Sequence, residues 1–228
     1  MIPKNIFQTH KSIKYIYSKP KLCNAVNTWK KFAPNFNYYF FDDNMSNNFM
    51  KKYYSGEIYD FYCRLQLAVM KADIWRYCII YKYGGIYADV DTICKTSPNL
   101  FINDCLLSLA PENSTHLCQW IFSAPPNSPI LKYIIDLFVE RMKNQKEIKG
   151  EHIIHYLTGP GLFTDGIEKY LKENNKATFD DKKNYFKYKE MDILRVFDCD
   201  HFHANRIIHL YAGQDKDGWF HERYKKLL

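Results

Sequence analysis

No window of this sequence reaches the roughly 18 uninterrupted apolar residues that a membrane helix needs. The opening MIPKNIFQTHKS also lacks the apolar core of a signal peptide. The expectation is a soluble, cytoplasmic protein with no membrane segment. No CxxC pair occurs, and the 7 cysteines are an odd, dispersed set. Zinc ribbons and dense disulfide frameworks therefore find little support, and reduced, mostly buried thiols are expected. There is no long basic run and no nucleic-acid motif, so nucleic acid is not an expected partner despite a net charge of +7. That charge suits a solvated basic surface, and it would also attract a nucleotide diphosphate or an anionic glycan. Internal repeats are absent too.

What is present is globular. The 228 residues are 46% hydrophobic and 25% charged, enough for a sizeable core, and residues 1–228 read as a single domain. Aromatic content is 17%. Nucleotide bias in the genome accounts for part of it, although tyrosines also suit sugar-binding clefts.

The pattern opens with a strand at Ile2–Thr9, a helix from Pro20 to the break at Pro34, and an aromatic strand Asn37–Phe41. Strand, helix, strand at the start of a chain points to an α/β protein with a parallel sheet. A short helix is expected over Asn44–Tyr54. Leu67, Met70, Ile74, Tyr77, Cys78 and Tyr81 then mark a helical stripe, which Gly84-Gly85 terminates. A strand Ile86–Asp91 follows, with another at Leu106–Ala110. Leu117–Ala124 is ambiguous between strand and helix. Ala124–Pro129 is a loop, Ile130–Met142 a helix, Thr158–Gly161 a loop and Leu162–Leu171 a helix. The polar run Lys172–Lys189 reads as a loop or hairpin, with late strands at Ile193–Phe197 and Ile207–Tyr211.

The chemistry concentrates in Ala72–Cys94. On a strand, side chains alternate, so Tyr87, Asp89 and Asp91 share one face and Ile86, Ala88 and Val90 the other. Two carboxylates two residues apart would stand roughly 7 Å apart along the strand. That spacing puts one on a metal ion and the other on a neighbouring group. Hard oxygen ligands favour Mg2+ or Mn2+. A bare DxD is common, but this one follows a helix, a Gly-Gly turn and an apolar strand, where α/β sheets place ligands. Asp73 and Arg76, three apart, share a helix face. They are either a surface ion pair or a partly buried pair able to bind sugar hydroxyls.

The string ADIWRYCIIYKYGGIYADVD resembles the DXD-motif sugar-binding region of glycosyltransferase family 32, which includes yeast-type α-1,6-mannosyltransferases and bacterial capsular sugar transferases. It is more distantly similar to the catalytic domains of clostridial glucosylating toxins. IPKNIFQTHK resembles the family's first strand, IPKxIHQTWK. Thr158-Gly159-Pro160 resembles a recurrent TGP, and IIHLYAGQDKDGW resembles the family's H-x-x-x-G-S-W close. The resemblance implies a GT-A fold, Rossmann-like with a mixed, mostly parallel sheet. It also implies a UDP- or GDP-sugar donor, a glycan or other hydroxyl acceptor, and retention of anomeric configuration. Carried over, Asp89 and Asp91 are catalytic. Thr9, His10, Asp73, Arg76, Asp89, Gln119, Gly159 and Trp219 bind donor, and Asp91 and His209 bind Mn2+ or Mg2+. The family's first-strand His is Phe7 here and its Trp is His10. The closing serine is absent, leaving Asp215 or Asp217 to replace it.

Asp89-Val-Asp-Thr92 resembles the DxDxT nucleophile motif of haloacid-dehalogenase-type phosphatases, with Asp180-Asp181 offered for Mg2+. That reading leaves Asp73 and Arg76 unexplained. A carbohydrate-binding protein on the same fold without turnover is the third. The cluster Asp198, Cys199, Asp200, His201, His203 reads as a polar turn, and His152 and His155 as surface or structural histidines.

Overall fold

The structure is a computed structural model that describes residues 1–111, 116–150, 152–174, 194–197 and 207–210. Its first unit is β1 (Asn5–Thr9), the short helix α1 (Ile13–Tyr17), α2 (Pro20–Phe32) and β2 (Asn37–Phe41). Pro20 sits in the first turn of α2, where its missing N–H costs nothing. β1 and β2 pair in parallel, Asn5 opposite Asn37 through Thr9 opposite Phe41, as the strand, helix, strand pattern predicts.

Two helices, α3 (Asp43–Tyr53) and α4 (Glu57–Arg64), lead into α5 (Ala68–Tyr83). Asp42 caps α3 by accepting from the Met45 N–H. The expected stripe on α5 is only part of what is buried. Trp75, Ile79 and Ile80 are also inaccessible, because α3 and a later helix flank it as well as the sheet. Gly84 ends α5 at φ +64 and Gly85 continues at φ +122, a pair of conformations that L side chains rarely adopt.

β3 (Gly85–Ala88) then pairs in parallel with the other side of β1. After it come β4 (Thr92–Cys94), β5 (Leu107–Pro111) and β6 (Leu117–Ala124), so the ambiguous stretch is a strand, buried along its whole length. α6 (Pro129–Asn144), α7 (Ile153–Leu157) and α8 (Pro160–Glu173) follow. The loop before α8 is shorter than expected, since Pro160 already begins the helix. β7 (Leu194–Val196) and β8 (Ile207–His209) complete the described elements. The sequence pattern did not predict α1, α4 or β4.

The main sheet has the order β2-β1-β3-β6-β5-β7, and only β6 opposes its neighbours. This is the mixed, mostly parallel α/β sheet that the sequence leads one to expect. Alternation splits the core. Phe7, Tyr87, Leu109 and Phe122 face α5, α6 and α8. Ile6, Ile86, Ala88 and Ile121 face Trp29 of α2 and Phe101. The carboxyl ends of β1 and β3 lie side by side, and ligands of such sheets bind beyond those ends. The polar run after Glu173, Asp180-Asp181, the cluster from Asp198 to His203, Asp215, Asp217 and Trp219 lie outside the described residues.

Candidate active site

The strand carrying the DxD is shorter than its apolar pattern predicts. β3 stops at Ala88, and Asp89, Val90 and Asp91 form a turn closed by the Thr92 N–H on the Asp89 carbonyl at 3.1 Å. The Thr92 hydroxyl donates to the same carbonyl at 2.5 Å, and the Gln8 amide donates to it at 3.0 Å. The Trp29 indole N–H, fully buried, donates to the carbonyl and hydroxyl oxygens of Thr92. The contacts of Gln8 and Trp29 come from β1 and α2, so no local pattern announces them. They bend the chain where strand alternation alone would continue it.

The turn has a chemical consequence. The expected spacing of roughly 7 Å applies to an extended strand. Here one ligand atom each from Asp89, Asp91 and His209 lie within 4.8 Å of one another. His209 arrives because β8 pairs antiparallel with β4, placing it opposite Thr92, and because the Leu210 N–H donates to the Asp91 carbonyl at 2.8 Å. Its Nε2 lies 3.3 Å from Asp91 Oδ1 and 3.9 Å from Asp89 Oδ2, and its ring packs on Trp120 at 5.0 Å.

Asp89 is also the end of a buried network. Tyr87 donates its hydroxyl to Asp89 Oδ1, and Arg76 Nη1 lies 3.4 Å from the same oxygen. Arg76 Nη2 pairs with Asp73 Oδ1 at 3.1 Å, Nη1 donates to the Gln119 carbonyl at 3.1 Å, and the guanidinium lies 4.5 Å from the Tyr87 ring centroid. Asp73 accepts from Thr158 Oγ1 at 2.9 Å and from Gln119 Nε2 at 3.4 Å. Asp73 and Arg76 are only 2% and 5% exposed, so the surface-pair alternative is wrong.

Electrostatics follow from this burial. Burial pushes the Asp89 carboxyl above its usual range, opposed chiefly by Arg76, while Asp91 adds to the rise. Burial works against the Arg76 charge, but Asp89, Tyr87 and Asp73 outweigh it and hold the guanidinium protonated. Replacing a buried ion pair by apolar side chains is often neutral for stability.

The remaining expected residues fall in two groups. Gln119 on β6 is 8% exposed and belongs to the network. Gly159 caps α8, and a Cβ there would sit 3.0 Å from His155 Cα, so it makes the tight elbow that delivers Thr158. His10 follows β1 and stacks on Tyr15 at 5.0 Å, with Lys11 Nζ 3.7 Å from the Tyr15 centroid. Burial, then Lys11, pushes His10 below the usual imidazole value. The Thr9 hydroxyl donates to the Phe41 carbonyl at 2.8 Å and lies 3.3 Å from Ser46 Oγ, tying β1 to β2 and α3 and making no contact with the carboxylate cluster. Sequence reasoning missed Gln8, Trp29, Tyr77, Thr92 and Thr158. Gln8 and Thr158 stand inside the quoted motifs IFQTHK and Thr-Gly-Pro, where neighbouring residues drew the attention. His152 is exposed, and His155 is partly buried against His116 at 4.3 Å between ring centroids.

Known proteins share both segment and fold. Residues 20–108 match the family described as glycosyltransferase sugar-binding region containing DXD motif. An initiation-specific alpha-1,6-mannosyltransferase of Candida albicans is 26% identical over 221 residues, spanning 80% of this chain and 57% of that protein. The protein of the same name from Schizosaccharomyces pombe is 26% identical over 202 residues, spanning 75% and 49%. An uncharacterized glycosyltransferase of Acanthamoeba polyphaga mimivirus is 28% identical over 138 residues, spanning 59% and 53%. The chain thus spans about half the length of the curated relatives it matches. Among solved structures, the PaToxG glycosyltransferase superposes with a TM-score of 0.56 at 19% identity, covering 75% of this chain and 70% of that one, which shows a common fold. The chain thus has a GT-A fold, and its residues 20–108 are similar to the glycosyltransferase sugar-binding region containing DXD motif.

Proposed function

We propose that the protein is a metal-dependent hexosyltransferase. It moves a hexose from a UDP- or GDP-linked sugar to an acceptor hydroxyl, on a glycan or another acceptor, with retention of configuration. The observation that carries this reading is the convergence of Asp89, Asp91 and His209 at the carboxyl end of β3. Two carboxylates and an imidazole fit a divalent ion, and their mixed oxygen and nitrogen character suits Mn2+ at least as well as Mg2+. Asp91, His209 and Asp89 would hold the ion, with Asp215 a further candidate ligand. A bound ion supplies neutralisation of the charge that develops on the departing diphosphate.

The chain's own residues do the rest. Arg76, Asp73 and Gln119 form the wall against which the donor sugar lies, with the guanidinium facing hydroxyl oxygens. Asp89 contacts donor ribose or sugar. His10, held neutral by its burial, offers a flat imidazole edge to the base, with Trp219 assigned to the phosphate side. Thr9 and Gly159 shape this donor cleft through the strand end and elbow they fix. Oriented this way, the acceptor hydroxyl attacks the anomeric carbon on the face from which the diphosphate leaves. Three buried thiols, and no disulfide among the described residues, support a reducing compartment such as the cytoplasm. No helix among the described residues is long and apolar enough to cross a membrane.

The test is a panel of nucleotide sugars with and without Mn2+, read as release of free nucleoside diphosphate. Release with at least one donor, lost on chelation, is the expected result. Metal-dependent binding with no hydrolysis or transfer overturns the enzyme and leaves a binding protein.

A further inference from the structure

We propose that Thr158, with Tyr77 beside it, is a positioning residue that sets the Asp89 carboxylate for the metal through Asp73 and Arg76. This rests on the metal-dependent reading above and extends it to residues that touch neither ion nor donor. Thr158 and Tyr77 are both fully buried, so neither reaches a substrate.

The path is continuous. The Thr158 hydroxyl has one proton and two acceptors in reach, the Ile154 carbonyl at 3.2 Å and Asp73 Oδ2 at 2.9 Å. The nearer acceptor is also the charged one, and charge-assisted bonds are the stronger. Thr158 therefore donates to Asp73 across 85 positions of sequence. The Thr158 carbonyl lies 2.9 Å from the Tyr77 hydroxyl, which also meets Gln119 Oε1. The other end of the Gln119 amide donates to Asp73 Oδ1. Both Asp73 oxygens are thus anchored, and so is the Arg76 guanidinium that pairs with Oδ1. Arg76 in turn meets Asp89 on Oδ1, leaving Oδ2 toward His209.

The elbow between α7 and α8 makes this possible. A Cβ at Gly161 would lie 2.6 Å from His155 Nδ1, so only a glycine lets α8 close onto α7 and seat Thr158 under Asp73. Removing the hydroxyl takes away the 2.9 Å bond that Thr158 donates to Asp73 Oδ2. The carboxylate and the guanidinium then lose their fixed orientation, and Asp89 loses it with them. Groups that orient a metal ligand typically affect affinity or activity by about 10–100-fold.

The experiment measures Mn2+ affinity of the full chain by titration followed by electron paramagnetic resonance, with kcat and donor KM beside it. Thr158→Val keeps shape and removes the hydroxyl. Mn2+ binding about 10-fold weaker is expected, with kcat falling more than donor KM. Thr158→Ser restores both, and Tyr77→Phe gives a smaller loss in the same direction. Wild-type affinity in Thr158→Val and Tyr77→Phe overturns the proposal and leaves the metal reading standing. A Thr158→Val defect that Ser does not rescue, and that tracks the thermal midpoint, makes the role structural and also overturns it. Absence of Mn2+ binding by the wild type removes the metal reading and this inference together. If Thr158→Val does not fold, Thr158→Ser and Tyr77→Phe decide: wild-type behaviour of Tyr77→Phe overturns, and a loss in Tyr77→Phe with a neutral Ser supports.

Discussion

Asp91 and the buried Asp73–Arg76 pair belong to the same site, and substitution should affect them in opposite ways. Asp91 is partly exposed and meets His209 at 3.3 Å, whereas Asp73 is nearly buried and accepts bonds from Thr158 and Gln119. Asp91→Asn keeps the shape and deletes a ligand charge. Transfer should be abolished while the metal-free thermal midpoint hardly moves, since substitutions at partly exposed positions usually change stability by less than about 0.5 kcal/mol. An active Asp91→Asn enzyme in the nucleotide-release assay would refute the assignment. Arg76→Met tests the buried side. It removes the guanidinium that Asp73 and Asp89 share, and breaking a buried pair in this way costs about 3–5 kcal/mol. Urea denaturation should show that loss without metal or substrate. A midpoint unchanged from wild type would mean that the guanidinium is not holding the carboxylates.

At the scale of elements, the joint between α5 and β3 controls where the carboxylates emerge. A Cβ on Gly85 would stand 2.6 Å from the Asn5 carbonyl oxygen of β1, at a φ of +122. Gly85→Ala should therefore destabilise by about 2–4 kcal/mol, the sum of backbone strain and overpacking. Thermal melting checks it, and a change under about 0.5 kcal/mol would contradict the packing described. The helix that leads into this joint was legible from its apolar spacing and its closing glycines. The alternation of Ile86, Tyr87 and Ala88 was legible as well. The end of β3 was not, because the turn at Asp89–Asp91 is held by Gln8 of β1 and Trp29 of α2, whose contacts no window of local sequence contains. α1 and α4 are not legible for another reason: they have five and eight residues, shorter than the window of roughly 11–18 residues over which apolar periodicity is read.

For the whole molecule, two conditions should shift stability. Mn2+ binding to the folded chain alone raises stability by RT ln(1 + [Mn2+]/Kd), about 2.7 kcal/mol at a hundredfold excess over Kd. Scanning calorimetry should show the midpoint rising with Mn2+ in the wild type and remaining flat in Asp91→Asn. Acid should act the other way. His10 and His155 are both held below the usual 6.5, first by burial, and then by Lys11 for His10 and by His116 for His155. Below pH 6.5 the unfolded chain takes up protons that the folded chain refuses. Their contribution is thus complete above that pH and is lost as pH falls through the lowered values. The thermal midpoint should decline from pH 7 toward pH 5, and less steeply in His155→Gln. A midpoint that rises on acidification would reverse the sign of this account.

By itself the sequence determined the alternating α/β order, the helix bearing Asp73 and Arg76, and the DxD that follows a Gly-Gly break. Those follow from spacing, because apolar periodicity and glycine breaks are written locally. Only the tertiary structure decided that Asp89 and Asp91 leave the strand and turn toward each other. It alone brought His209 to them by pairing β8 with β4, and set Thr158 beneath Asp73. The physical reason is distance along the chain: His209 lies opposite Thr92, and Thr158 bonds a carboxylate 85 positions away, so each contact exists only once the sheet and the elbow have formed.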